Sequence, residues 1–178
     1  MFNIFPAVGQ QKTITIQNKR ELFIDDYILE KLNNVDIRLA TPVSGGVAIK
    51  FNMPWEGRFS TYVSIINDGT RYRMYYRGLV GDDNKGAPQV TCYAESVDGI
   101  YWSKPNLRIF EVNGTLDNNV VLMHNPLKTT HNLSVMYDNR LDVNPDERFK
   151  AVGGESMKDP STGLFRYVSP DGIHWKRY

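Results

Sequence analysis

The chain has 178 residues, 41% hydrophobic and 23% charged, the balance of a folded globular protein and not of a disordered segment. Lys and Arg number 21 against 20 Asp and Glu, and no basic run concentrates them, so neither nucleic acid nor an anionic membrane is an expected partner. No apolar run is long enough to span a bilayer, and the first residues lack a basic region ahead of an apolar core, so no signal peptide is expected.

Taken in chain order, residues 21–24 read as a strand. Residues 26–32 read as one or two helical turns with Asp25 or Asp26 as N-cap. Residues 61–66 alternate as a strand, and Asn67-Asp68-Gly69-Thr70 supplies a hairpin turn. In the strand that follows, Tyr72, Met74 and Tyr76 share one face, while Arg71, Arg73, Tyr75 and Arg77 share the other. A polar loop at 81–86 leads to a third strand at 89–96, and Asp98-Gly99 turns the chain into a short outer strand at 100–102. The single cysteine, Cys92, lies in that third strand. It forbids an internal disulfide and reads as a buried strand residue, with no base nearby to make it a catalytic thiol.

The order then repeats. Ser96-Val97-Asp98-Gly99-Ile100-Tyr101-Trp102 recurs as Ser169-Pro170-Asp171-Gly172-Ile173-His174-Trp175, at a period of about 73 residues. The second unit is expected to have strands at 132–137, 148–152, 164–169 and 173–175. In the repeated element the aspartate accepts backbone N–H bonds, the glycine permits the turn and the tryptophan covers the sheet edge. Asp98 and Asp171 are therefore structural, and His174, standing where Tyr101 stands in the first unit, is structural too. The fold class is all-β, built from four-stranded antiparallel sheets of the β-propeller blade type. The chain reads as one domain, with a partial blade at 1–52 and blades at 53–110 and 111–178.

These elements, together with Arg20-Glu21-Leu22-Phe23-Ile24-Asp25-Asp26-Tyr27, Pro54-Trp55-Glu56-Gly57-Arg58 and Cys92-Tyr93-Ala94-Glu95-Ser96, resemble a bacterial branch of the five-bladed propeller glycoside hydrolases. That group includes arabinanases, invertases and levansucrases. The resemblance implies a central funnel with carboxylates at the innermost strands, one to protonate the leaving oxygen and one to attack or activate water. Carried over by residue, Asp25 or Asp26 would be the nucleophile or base, and Glu56 the acid. Arg58, Tyr62, His131 and Asn132 would bind substrate. Glu95, on a third strand, is expected to pair with an arginine. The three histidines lack metal-site spacing, and no metal or cofactor is expected. The implied partner is a carbohydrate.

The alternative function is a non-catalytic module that binds sugars through its aromatic residues or serves as an assembly surface. A sialidase-like propeller ranks last, because its related turn motif is one residue longer. A closed ring needs about five such sheets, and this sequence supplies two and an N-terminal part. The expectation is therefore either a piece of a longer protein or self-association through open blade edges.

Overall fold

The structure is a computed structural model that describes residues 13–81, 88–123, 130–154 and 163–178. The chain divides into two compact units, Met1–Ser44 and Gly45–Tyr178. The described part of the first unit contains neither strand nor helix. In place of the expected helical turns, Asp25 Oδ1 accepts from the Tyr27 N–H at 3.0 Å, and the Leu29 N–H donates to the Asp26 carbonyl at 3.1 Å. A short polar side chain that captures its own backbone competes with helix formation. Leu22, Ile24 and Tyr27 are exposed, so no buried apolar face holds a helix or strand together here.

The second unit is all-β, with two four-stranded antiparallel sheets. The first contains β1 (Thr61–Asn67), β2 (Tyr72–Leu79), β3 (Gln89–Ser96) and β4 (Val120–Met123), hydrogen-bonded in that order. The second contains β5 (Ser134–Tyr137), β6 (Phe149–Gly153), β7 (Phe165–Ser169) and β8 (Lys176–Arg177), again in order. The expected outer strand at 100–102 is absent. The Asp98 carboxylate takes the N–H groups of Ile100 and Tyr101 at 2.8 and 2.9 Å, donors that a ladder would need. Only a bridge between Glu95 and Ser103 continues beside β3, and β4 supplies the fourth strand instead. The first sheet therefore extends past residue 110, where the blade boundary was expected. The same capture by Asp171 displaces the last strand of the second sheet from 173–175 to β8.

One face of the first sheet carries Met74, Tyr76, Val90, Cys92 and Ala94, closed over by Phe51, Trp55, Trp102 and Val112. Its opposite face packs Tyr75 and Tyr93 against Leu133, Val135, Ala151 and Tyr167 of the second sheet. The row that holds Arg73, Tyr75 and Arg77 is thus the contact between the sheets. Tyr75 donates its hydroxyl to the Gly172 carbonyl at 2.9 Å, and Arg73 donates to the Asp171 carbonyl at 2.9 Å while lying over the Phe149 ring. Each fully buried tyrosine removes on the order of 150 Å² from water, a gross gain of about 3–4 kcal/mol before entropy is counted.

The repeat runs deeper in the structure than in the sequence. Tyr72 pairs with Ser96, and Phe149 pairs with Ser169, which aligns the two sheets strand by strand. On that alignment Asp68 matches Asp138. Each sends its backbone N–H to a carbonyl just ahead of the next strand, Arg71 in one sheet and Arg148 in the other. Each also holds the cation at the second position of that strand, Arg73 or Lys150. Burial pushes the Asp68 carboxyl upward, but hydrogen bonds from Thr70, Arg73 and the Arg71 N–H outweigh it and hold it well below the ordinary carboxylate range.

Candidate functional site

The first strands of the two sheets, β1 and β5, lie side by side, and both begin with the same irregularity. In β1, Thr61 pairs with Arg77 and Ser64 with Tyr75, so one extra residue is accommodated between them. Ahead of β5, the Gly154 N–H bonds to the His131 carbonyl and Ser134 pairs with Val152, the same excess of one residue. The left-handed residues of the two bulges match: Tyr62 at φ 53° and Asn132 at φ 51°. For a tyrosine this backbone costs about 1–2 kcal/mol relative to the right-handed regions. Bulges of this kind re-aim side chains and recur beside functional sites.

Between the two bulges sits Arg77, at the matching position to Gly154. Its guanidinium donates to the Phe59 carbonyl at 3.1 Å and to Asn132 Oδ1 at 3.4 Å, and lies 4.7 Å from the centre of the Tyr62 ring. Its Nε is buried and has no hydrogen-bond partner among the described residues. The Tyr62 ring is 54% exposed and stands 6.3 Å from the His131 ring. Nδ1 of that histidine is 2.7 Å from Gln89 Oε1, the first residue of β3. Arg58 is exposed and lies over the ring of Phe59, the residue whose carbonyl Arg77 holds. The fold therefore gathers Tyr62, His131 and Asn132 around Arg77, while the only contact of Arg58 among the described residues is with the Phe59 ring. The residue that the sequence reading left out is Arg77. Its place at the end of the Arg71-Arg73-Tyr75 row was the available signal, but only the strand register shows that it faces both bulges.

Glu56 stands in a different environment. It is fully buried, with Lys104 at 2.6 Å, the Tyr76 hydroxyl donating at 2.6 Å and the Met53 N–H donating at 2.7 Å. The network continues inward: Asn119 donates to the Tyr76 hydroxyl and to the Tyr93 carbonyl, and accepts from the Trp55 indole. Burial raises the Tyr76 hydroxyl and the Cys92 thiol well above their ordinary ranges, and the nearby Glu56 charge adds to both. A general acid must reach the leaving oxygen of its substrate, whereas this carboxylate is occupied by three partners inside the first core. Asp25 and Asp26 are exposed, in the unit before Gly45.

The other sequence expectations fall outside this neighbourhood. Glu95 pairs with Arg71 at 2.9 Å. Asp171 accepts from Ile173, His174 and Ser169; burial works upward on its carboxyl, but the His174 side chain and these bonds bring it down to about 2. Among the described residues no group of three His, Cys, Asp or Glu is arranged to hold a metal ion.

No protein-family model and no curated protein matches this sequence. Among solved structures, the chain is similar to a candidate glycoside hydrolase from Parabacteroides distasonis ATCC 8503, at 14% identity and a TM-score of 0.45. That likeness covers 74% of this chain and 37% of the other protein. At this identity and overlap, a functional reading has to rest on the residues themselves.

Proposed function

We propose that this chain is part of a glycoside hydrolase-like propeller of the five-bladed type, and that residues Gly45–Tyr178 serve it by binding carbohydrate. The observation that carries the reading is the matched pair of bulges, with Tyr62 and Asn132 presented from the adjacent first strands of the two sheets on either side of Arg77. An exposed aromatic ring, an amide and a guanidinium are the groups that stack on and hydrogen-bond a sugar. The two S-x-D-G-I-x-W elements and the sequence resemblance support the same class.

Bond cleavage by paired carboxylates needs both groups open to the sugar. The enclosure of Glu56 favours binding over cleavage for this unit. The test is calorimetric titration of the chain with neutral and acidic oligosaccharides, run beside a reducing-sugar assay. Binding that drops at least tenfold in Tyr62→Ala and Asn132→Ala, with folding intact by circular dichroism, supports the reading. Binding indifferent to both substitutions refutes the site. Turnover that disappears in Glu56→Gln without loss of stability would return that residue to catalysis.

A further inference from the structure

Several cations of the two sheets are held in ion pairs. Arg71 is matched by Glu95, Arg73 by Asp68, Lys104 by Glu56, and Arg140 and Lys150 by Asp138. Arg77 and Arg58, like Arg148, Arg166 and Arg177, have no carboxylate partner among the described residues; Arg77 holds the Phe59 carbonyl and Arg58 lies over the Phe59 ring. Arg77 is half-buried, and its recorded contacts are neutral: a backbone carbonyl, an amide oxygen and a tyrosine ring. Among the described residues, neutral dipoles alone face its positive charge, and its buried Nε has no acceptor. A partly desolvated guanidinium without a counter-ion is costly, and an arriving anion removes that cost. The planar fork of the guanidinium also matches a carboxylate better than a lone hydroxyl.

We propose that the Arg77 site selects sugars that carry a carboxylate, a uronate in place of the corresponding neutral hexose. This rests on the carbohydrate-binding reading above. In it, the uronate carboxylate meets Arg77 with Arg58 as a second, outer cation, while Tyr62 stacks on the ring and Asn132 bonds a hydroxyl. The sequence composition does not foreshadow such a preference, since the chain as a whole is nearly neutral, with 21 Lys and Arg against 20 Asp and Glu.

The experiment compares a galacturonate trisaccharide with the matching galactose trisaccharide, by calorimetric titration of the full chain at low and moderate salt. The expected result is at least a tenfold preference for the uronate at low salt, shrinking as salt rises. Arg77→Gln should weaken the uronate trisaccharide at least tenfold more than the galactose trisaccharide, abolishing the preference. Arg77→Lys should retain part of it, and the exposed Arg58→Gln, which carries little risk to folding, should reduce it by a few-fold. Equal affinity for both trisaccharides would overturn the charge inference alone and mean that Arg77 is neutralised from within the chain. Binding of neither would overturn the carbohydrate reading beneath it.

Discussion

Tyr75 of the first sheet and Val152 of the second occupy matching places, yet Tyr75 is sealed while Val152 is 42% exposed. The same divergence separates Tyr93 from Arg166, one buried and the other open to solvent. Both sheets share the Asp68/Asp138 ion-pair position, the Tyr62/Asn132 bulge and the Ser-x-Asp-Gly turn. They differ in what covers them. Among the described residues, the first sheet is closed on both faces, by the segment around Trp55 and by the second sheet, whereas the second buries the face that meets the first and leaves the other open. The repeat thus sets the hydrogen-bonding frame, and the neighbour sets which side chains are apolar.

The strongest way to break this comparison is at the cover that only the first sheet has. Glu56→Ala leaves the half-buried Lys104 without its carboxylate and the buried Tyr76 hydroxyl without its acceptor, and we expect a loss of about 3–5 kcal/mol in urea unfolding. A loss under about 1 kcal/mol would mean that the network beneath Trp55 is not what closes that face. Next in size is a contrast between matching glycines. Gly99 and Gly172 both lie in the left-handed region, at φ 77° and 75°. A methyl group on Gly99 meets only the Tyr72 ring at 3.6 Å, whereas one on Gly172 meets the Tyr75 hydroxyl at 2.6 Å and the Phe149 ring at 3.0 Å. Gly99→Ala should cost about 1–2 kcal/mol from backbone strain, and Gly172→Ala about 1–3 kcal/mol more from the forced shift at the sheet contact. Equal melting temperatures for the two variants would contradict the asymmetry.

A smaller effect sharpens the comparison at the turns. Asp171 has its folded value lowered to about 2 from 3.8, so the stability it contributes is complete above pH 3.8 and fades as pH falls through about 2. Its side chain is half-exposed, and after solvent screening the amount is on the order of 1 kcal/mol. Asp171→Asn should flatten that part of the acid-unfolding profile; a profile identical to the parent would show that the turn is not held by the charge. The smallest expected change is at the strained bulge. Tyr62→Gly should leave stability within about 1 kcal/mol of the parent, because relief of the left-handed backbone offsets the added chain entropy. Sugar affinity should fall in the same variant, and a marked loss of stability would make Tyr62 a packing residue.

Much of the sheet frame was legible because it is local. Alternation located β2, β3 and β6 to within a residue or so, and the recurring Ser-x-Asp-Gly-Ile-x-Trp element marked both turns. The outer strands were not, because a side chain claimed the donors that alternation assigns to a ladder. Tyr62, His131 and Asn132 could be named as candidates from the sequence, but Arg77 emerges only when the extra residue of each bulge is counted in the register. The enclosure of Glu56 depends on Lys104, 48 residues away, which no local pattern announces. Residues 21–32 had apolar content enough for regular structure, yet the described chain gives them no face to cover.

Cys92, the chain's one cysteine, is fully enclosed beneath Tyr76 and Trp55, and its thiol is shifted upward by burial. Alkylating reagents attack the thiolate, so the folded protein should be nearly inert to them and become reactive when this core opens. The labelling rate under native conditions then reads the opening free energy of the first sheet directly, from a reporter that the sequence already contains.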